Sequence, residues 1–169
     1  MSKKEIIKEL QDTVSEFQKL ISSFDERQLN KVPYEGSWTA GQVAQHIILA
    51  NSGFADVLNG PVKDTERAPD EQIEKIREIF LNFNTKMNSP DFILPTLKEY
   101  NKVKQLNALE KIKLDVSKAV DDLDLDKTCL AFELPVFGHL TRQEAVYFVI
   151  YHTQRHAQQL GRIRESLLN

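Results

Sequence analysis

Hydrophobic positions recur along most of this chain at helical spacing. Ile6, Ile7, Leu10, Val14, Phe17, Ile21 and Phe24 follow a period near 3.6. Ser2 and Glu5 stand at capping-box spacing before them, so a first helix is predicted from Ser2, ended by the polar stretch 25–31 and Pro33. A second helix is predicted after Thr39. Thr39 and Gln42 repeat the capping-box spacing, and Trp38 and Val43 can form a hydrophobic staple around it. Its apolar stripe is Val43, Ile47, Ala50, Phe54, Val57 and Leu58, and Asn59-Gly60-Pro61 stops it. A shorter third helix is expected from Pro69 to Met87, with Asp70 and Glu71 at its positive end. The segment Asp91 to Pro95 reads as extended.

A fourth helix is predicted from about Thr96 to Leu123, with Leu97, Tyr100, Val103, Leu106, Leu109, Ile112, Val116 and Val120 as its stripe. The stretch Asp124 to Leu140 contains Pro135 and Gly138 and reads as an ordered, apolar loop over one end of the core. The last helix is predicted from Thr141, with Glu144 in capping-box position, nearly to the C-terminus. Strand alternation is almost absent, and neither a repeat nor a linker interrupts the pattern. The expectation is an all-α chain folded as one domain over residues 1–169: an up-and-down bundle of four main helices, with the third helix an accessory on a crossover.

Composition narrows the classes. The chain is 41% hydrophobic and 28% charged, which suits a globular fold, and its net charge of −3 leaves no basic footprint for nucleic acid. No run approaches the roughly 20 apolar residues of a spanning helix, and the N-terminus has no signal-peptide core. With Cys129 as the single cysteine, an intrachain disulfide is excluded. A cytoplasmic protein that engages neither membrane nor nucleic acid is expected.

The candidate chemistry lies in the histidines. His152 and His156 are one turn apart on the last helix, inside the apolar stripe of Ala145, Val149, Leu160, Ile163 and Leu167. Gln154, Gln158, Arg162 and Glu165 fall on the other side. His46 lies at the edge of the second helix's stripe. Inward imidazoles need partners, and a divalent metal ion supplies one to each of His46, His152 and His156. Ligand type leaves zinc, nickel, iron and cobalt open. Three protein ligands would leave an open coordination position for a water or a thiol, as in catalytic rather than structural zinc sites. Two rivals remain: a metal-stabilised, non-catalytic dimeric binding module, and a plain core whose histidines bond only to protein groups. Gln45, Arg155 and Gln159 are candidate outer-sphere or substrate contacts, Arg155 because a guanidinium can hold a carboxylate bidentately. Trp38 is a candidate pocket wall. His139 is expected near the surface and not as a ligand, and Cys129 as a partly buried, unactivated thiol.

Two segments resemble the DinB-like (DinB/YfiT) superfamily. Ser37 to Ile47 is similar to its W-[ST]-x-x-[EQ]-x-x-x-H segment. Phe137 to Ala145, followed by Tyr151 to Leu160, is similar to its G-x-L-T block and H-x-x-x-H-x-x-Q helix. The resemblance implies a four-helix bundle of up-down-down-up topology, with a long crossover between the second and third main helices, and a metal triad at His46, His152 and His156. It further implies a homodimer; zinc or nickel is the expected ion, and a small molecule the expected substrate. The reaction would be that of a metal-dependent hydrolase or of a transferase using a low-molecular-weight thiol such as bacillithiol or mycothiol.

Overall fold

The computed structural model describes residues 1–168. Helix α1 spans Lys3–Ser22 and opens on the Ser2/Glu5 capping box. Its inward stripe of Ile6, Leu10, Val14, Phe17 and Ile21 is fully buried. A short helix α2, Glu26–Asn30, follows within the polar stretch expected only to end α1. It has its own reciprocal box between Asp25 and Gln28, and it buries Leu29 completely. The D-x-x-Q spacing that marks it was legible in the sequence.

The predicted second helix is two pieces, α3 (Ala40–Asn51) and α4 (Phe54–Asn59). The break falls at Ser52-Gly53, where glycine's conformational freedom weakens the helix. Helix α5 covers only Ile73–Phe80 of the expected 69–87. Before it, the Gln72 amide is taken by a Glu144 carboxylate oxygen at 2.9 Å. Beyond it, Arg155 occupies the carbonyls of Phe80, Asn82 and Thr85. A continuing helix would need those carbonyls for its own ladder. The region predicted to be extended contains a single 3₁₀ turn, Asp91–Ile93.

Helix α6 spans Lys102–Asp122, starting later than the expected Thr96. Asn30 has already claimed the backbone of Tyr100 at both N–H and C=O, and Asn101 caps the helix through the Lys104 amide. The expected loop 124–140 is instead largely a hairpin of β2 (Thr128–Leu134) and β3 (Gly138–Thr141). With β1 (Val62–Lys63) it forms a small antiparallel sheet in the order β1-β2-β3. A register shift between Thr128 and Glu133 breaks strict alternation, which hid the hairpin from a period-2 reading. The last helix, α7, runs Arg142–Leu168 behind the predicted Thr141/Glu144 box.

Side-chain ties give the helix directions. Gln11 meets Ser117 and Gln18 meets Leu106, so α1 and α6 are antiparallel. Gln154 meets Thr13 and Tyr147 meets Glu9, so α1 and α7 run the same way. Gln105 donates to the Gly41 carbonyl, which sets the starts of α3 and α6 side by side. Asn51 reaches Thr153 while Leu58 reaches Arg142, so α3–α4 and α7 are antiparallel. The result is an up-down-down-up four-helix bundle, with α5 on the crossover between the second and third main helices. No helix of the described residues is long and apolar enough to cross a membrane.

Candidate metal centre

The site stands on the two most buried helices. The first half of α7 is buried almost all round, from Ala145 to Thr153, so a histidine at 152 has nowhere to point but into protein. Helix α3 begins at a reciprocal box, with Thr39 and Gln42 exchanging two 3.0 Å bonds. It packs so closely at Gly41 that an added Cβ would lie 3.1 Å from the Tyr100 ring. Toward α7, the buried Asn51–Thr153 bond at 3.0 Å ties the other end of α3, and His46 lies on α3 between these two contacts. His46 and His152 are 1% and 6% exposed, and His156 is partly exposed.

The three imidazoles converge on one point. Their candidate ligand nitrogens all lie within 4.8 Å of one another. The Nε2 atoms of His46 and His152 are 3.1 Å apart. Outer contacts set the tautomers. The Ile93 carbonyl lies 2.9 Å from Nδ1 of His46, and because a carbonyl only accepts, Nδ1 carries the proton. Gln159 Oε1 does the same for His156 Nδ1 at 2.7 Å. Both rings therefore turn an unprotonated Nε2 inward. Nδ1 of His152 is buried without a hydrogen-bond partner among the described residues, so this ring alone lacks an outer acceptor.

The walls are aromatic. Phe148 stacks on His152 with centroids 5.2 Å apart, Phe80 meets it edge-on, and Trp38 lies 5.2 Å from His46. Burial among these rings pushes all three imidazole pKa values down. For His46 the hydrogen bond to Ile93 opposes part of that effect. His152 goes well below the ordinary range through burial and then through the neighbouring histidines. His156 is pushed down to about 3, mainly by burial. All three are neutral near pH 7, the state in which imidazole ligates metal.

This donor set fits a divalent ion. Zinc binds imidazole nitrogen at about 2.0–2.1 Å, so tetrahedral ligand atoms sit roughly 3.4 Å apart, close to the 3.1 Å between the His46 and His152 Nε2 atoms, and all three ligand nitrogens lie within 4.8 Å of one another. Among the described residues no carboxylate or thiol joins the cluster.

Of the other predicted contacts, Gln159 is in place against His156. Gln45, about 100° round α3 from His46, is partly exposed. Arg155 spends its guanidinium on three main-chain carbonyls, of Phe80, Asn82 and Thr85. His139 stays in the hairpin, paired with Glu133 at 3.0 Å. Cys129 is buried on β2, and burial pushes its thiol pKa up. Two contacts were missed in the sequence: the Ile93 carbonyl, because every residue has one, and the Phe148 ring, which lies outside the stripe assigned to the last helix. Two surface clefts lie elsewhere, one between α1 and α7 at Glu9 and Thr13, the other between α2 and the start of α6.

Comparison with known proteins agrees with this architecture. YuaE of Bacillus subtilis (strain 168), an uncharacterized protein, is 24% identical over 148 residues, covering 87% of this chain and 90% of YuaE. A protein of Bacillus mycoides (strain KBAB4), named provisionally as a metal-dependent hydrolase, is 27% identical over 162 residues, covering 95% of this chain and 84% of its own. Two solved structures share the fold. YfiT from Bacillus subtilis is described provisionally as a metal-dependent hydrolase with an unusual four-helix bundle topology. It superposes with a TM-score of 0.64 at 13% identity, covering 99% of this chain and 90% of YfiT. The four-helix bundle protein TT2238 gives a TM-score of 0.57 at 21% identity, covering 95% of this chain and 99% of TT2238. The profile of the DinB superfamily matches residues 9–160, nearly the whole bundle, and the chain belongs to that superfamily.

Proposed function

We propose that this chain is a metal-dependent enzyme of the hydrolase or thiol-transferase kind, with one divalent ion, zinc or nickel, held by His46, His152 and His156. The observation that carries this reading is the convergence of three neutral imidazoles, two buried and one partly exposed, with no fourth protein ligand among them in the described residues. A divalent ion in such a set is a Lewis acid that lowers the pKa of a water or thiol reaching its remaining position. The chain's own residues prepare for that. Ile93 and Gln159 hold protons on the outer nitrogens of His46 and His156, which fixes ring orientation. Phe80, Phe148 and Trp38 exclude water around the rings and so strengthen electrostatic interactions inside. With no carboxylate in the cluster the ion's charge is uncompensated, which favours an anionic partner such as hydroxide or thiolate. The provisional name of the Bacillus mycoides relative supports the hydrolase arm.

A second reading, a metal-stabilised binding module without catalysis, is favoured by one observation: the two surface clefts are not lined by triad residues.

The deciding experiment measures metal content of tag-free protein for wild type and His152→Ala. Near-stoichiometric metal in the wild type and its loss in the variant are expected. Loaded wild type is then assayed for ester and amide hydrolysis and for thiol transfer. Wild type that stays metal-free and refuses added zinc and nickel would sink the reading. Metal without turnover in either assay class would favour the module.

A further inference from the structure

The chain between α5 and α6 passes over the triad as a strap tied at three places. At its start, the Arg155 guanidinium donates to the carbonyls of Phe80 (3.1 Å), Asn82 (2.9 Å) and Thr85. In its middle, the 3₁₀ turn brings the Ile93 carbonyl to His46 Nδ1 at 2.9 Å. At its end, Asn30 brackets Tyr100, accepting from its N–H at 2.7 Å and donating to its carbonyl at 3.0 Å.

Beyond Leu81, which packs against the core, hydrophobic burial does little to hold this strap. Phe83, Met87, Phe92, Leu94 and Leu97 are all exposed, Phe92 and Leu97 to 71% and 72%. With few apolar contacts to resist opening, the polar ties decide whether the segment stays closed. Arg155 is the largest of them. It has no carboxylate partner among the described ion pairs, and its donors go to the last carbonyl of α5, at Phe80, where a cation is favoured, and to the Asn82 and Thr85 carbonyls just beyond it. It also sits between the two α7 ligands, so the turn that presents His152 and His156 fastens the strap that orients His46.

We propose that Arg155 is a positioning residue of the metal centre: it fastens the 81–99 strap so that the Ile93 carbonyl holds His46 toward His152 and His156. The inference rests on the reading of the triad as a metal site. Strap closure and metal retention then favour each other through His46, since Nδ1 serves the strap and Nε2 serves the ion. The role differs from that of a substrate-binding arginine, whose guanidinium would have to be free.

The test uses full-length wild type, R155A, R155K and N30A, each with and without zinc. Two rates are read: tryptic cleavage after Lys86, an exposed position in the strap, and zinc transfer to a chelator. Circular dichroism checks that each variant is folded. Expected is about a tenfold or greater acceleration of both rates in R155A, the scale of lost outer-sphere support, with partial rescue in R155K. Zinc should slow cleavage after Lys86 in wild type. A folded R155A that releases zinc and is cleaved at wild-type rates overturns the proposal, as does cleavage of wild type that ignores zinc. Should R155A fail to fold, N30A, which frees the strap's other end, is judged by the same two rates. A wild type that takes up no zinc, nickel or cobalt refutes the metal reading instead. Cleavage of the metal-free proteins then decides alone whether Arg155 fastens the strap.

Discussion

In the metal-free chain each triad imidazole is neutral because burial takes it out of water and disfavours its charged form. That depression has a sign. A histidine whose pKa falls on folding binds a proton more readily when unfolded, so its contribution to stability is complete above about pH 6.5 and is lost as the pH drops below that. For His156 the loss extends down toward its folded value of about 3. His46 and His152 shift the same way. Thermal unfolding of metal-free protein should therefore show a Tm that falls steadily from pH 6.5 to 4.5, and His156→Asn should flatten part of the slope. A wild-type Tm that is level over that range would mean the imidazoles are not shielded in solution. Protons compete for the same lone pairs as the ion, so metal affinity should weaken over the same interval.

At the scale of elements, α7 depends on one carboxylate. Glu144 is fully buried and closes the capping box through the Thr141 amide at 2.9 Å. It also takes the Gln72 amide at 2.9 Å and both terminal nitrogens of Arg67, at 2.5 and 2.6 Å. One side chain thus joins the start of α7, the start of α5 and the segment after β1. Removing it takes the carboxylate from a partly exposed guanidinium and the acceptor from two amides. Glu144→Ala is expected to cost about 2–3 kcal/mol in denaturant unfolding, below the range for a fully buried ion pair because Arg67 stays partly solvated. Glu144→Gln should cost less, since it keeps one acceptor. A cost for Glu144→Ala under about 1 kcal/mol would show that water replaces the network freely. Surface pairs such as Lys8–Asp12 and Lys118–Asp122 carry no comparable expectation, because both partners are solvated.

At the scale of the whole molecule, the triad joins α3 to α7 across the bundle, so an ion bound there binds only the folded chain. Zinc at about 100 times its Kd should add about 2.7 kcal/mol to stability, which corresponds to a rise of roughly 5–10 °C in Tm for a chain of this size. Calorimetry of wild type and His156→Ala checks this. The variant should lose the shift, and a wild type whose Tm ignores saturating zinc would contradict a site built between helices. The same linkage bears on the strap: its closed form is part of the state that the ion selects.

Local pattern was enough for some of this protein. Capping boxes at Ser2, Thr39 and Thr141 and the stripes behind them mark where α1, α3 and α7 begin, because propensity, capping and burial there agree. The inward facing of His46, His152 and His156 followed from the same periodicity, since a helix fixes side-chain direction once its buried stripe is known. Other boundaries were decided only in three dimensions. Helix α5 ends where Arg155 takes its carbonyls, and α6 begins late because Asn30 holds Tyr100. The bulged hairpin was unreadable as alternation. So was the choice of which His46 nitrogen faces the site, because it rests on the Ile93 carbonyl. Hydrophobic periodicity is written in side chains and survives in one dimension. A backbone carbonyl is the same at every residue, and only the tertiary fold determines which one arrives.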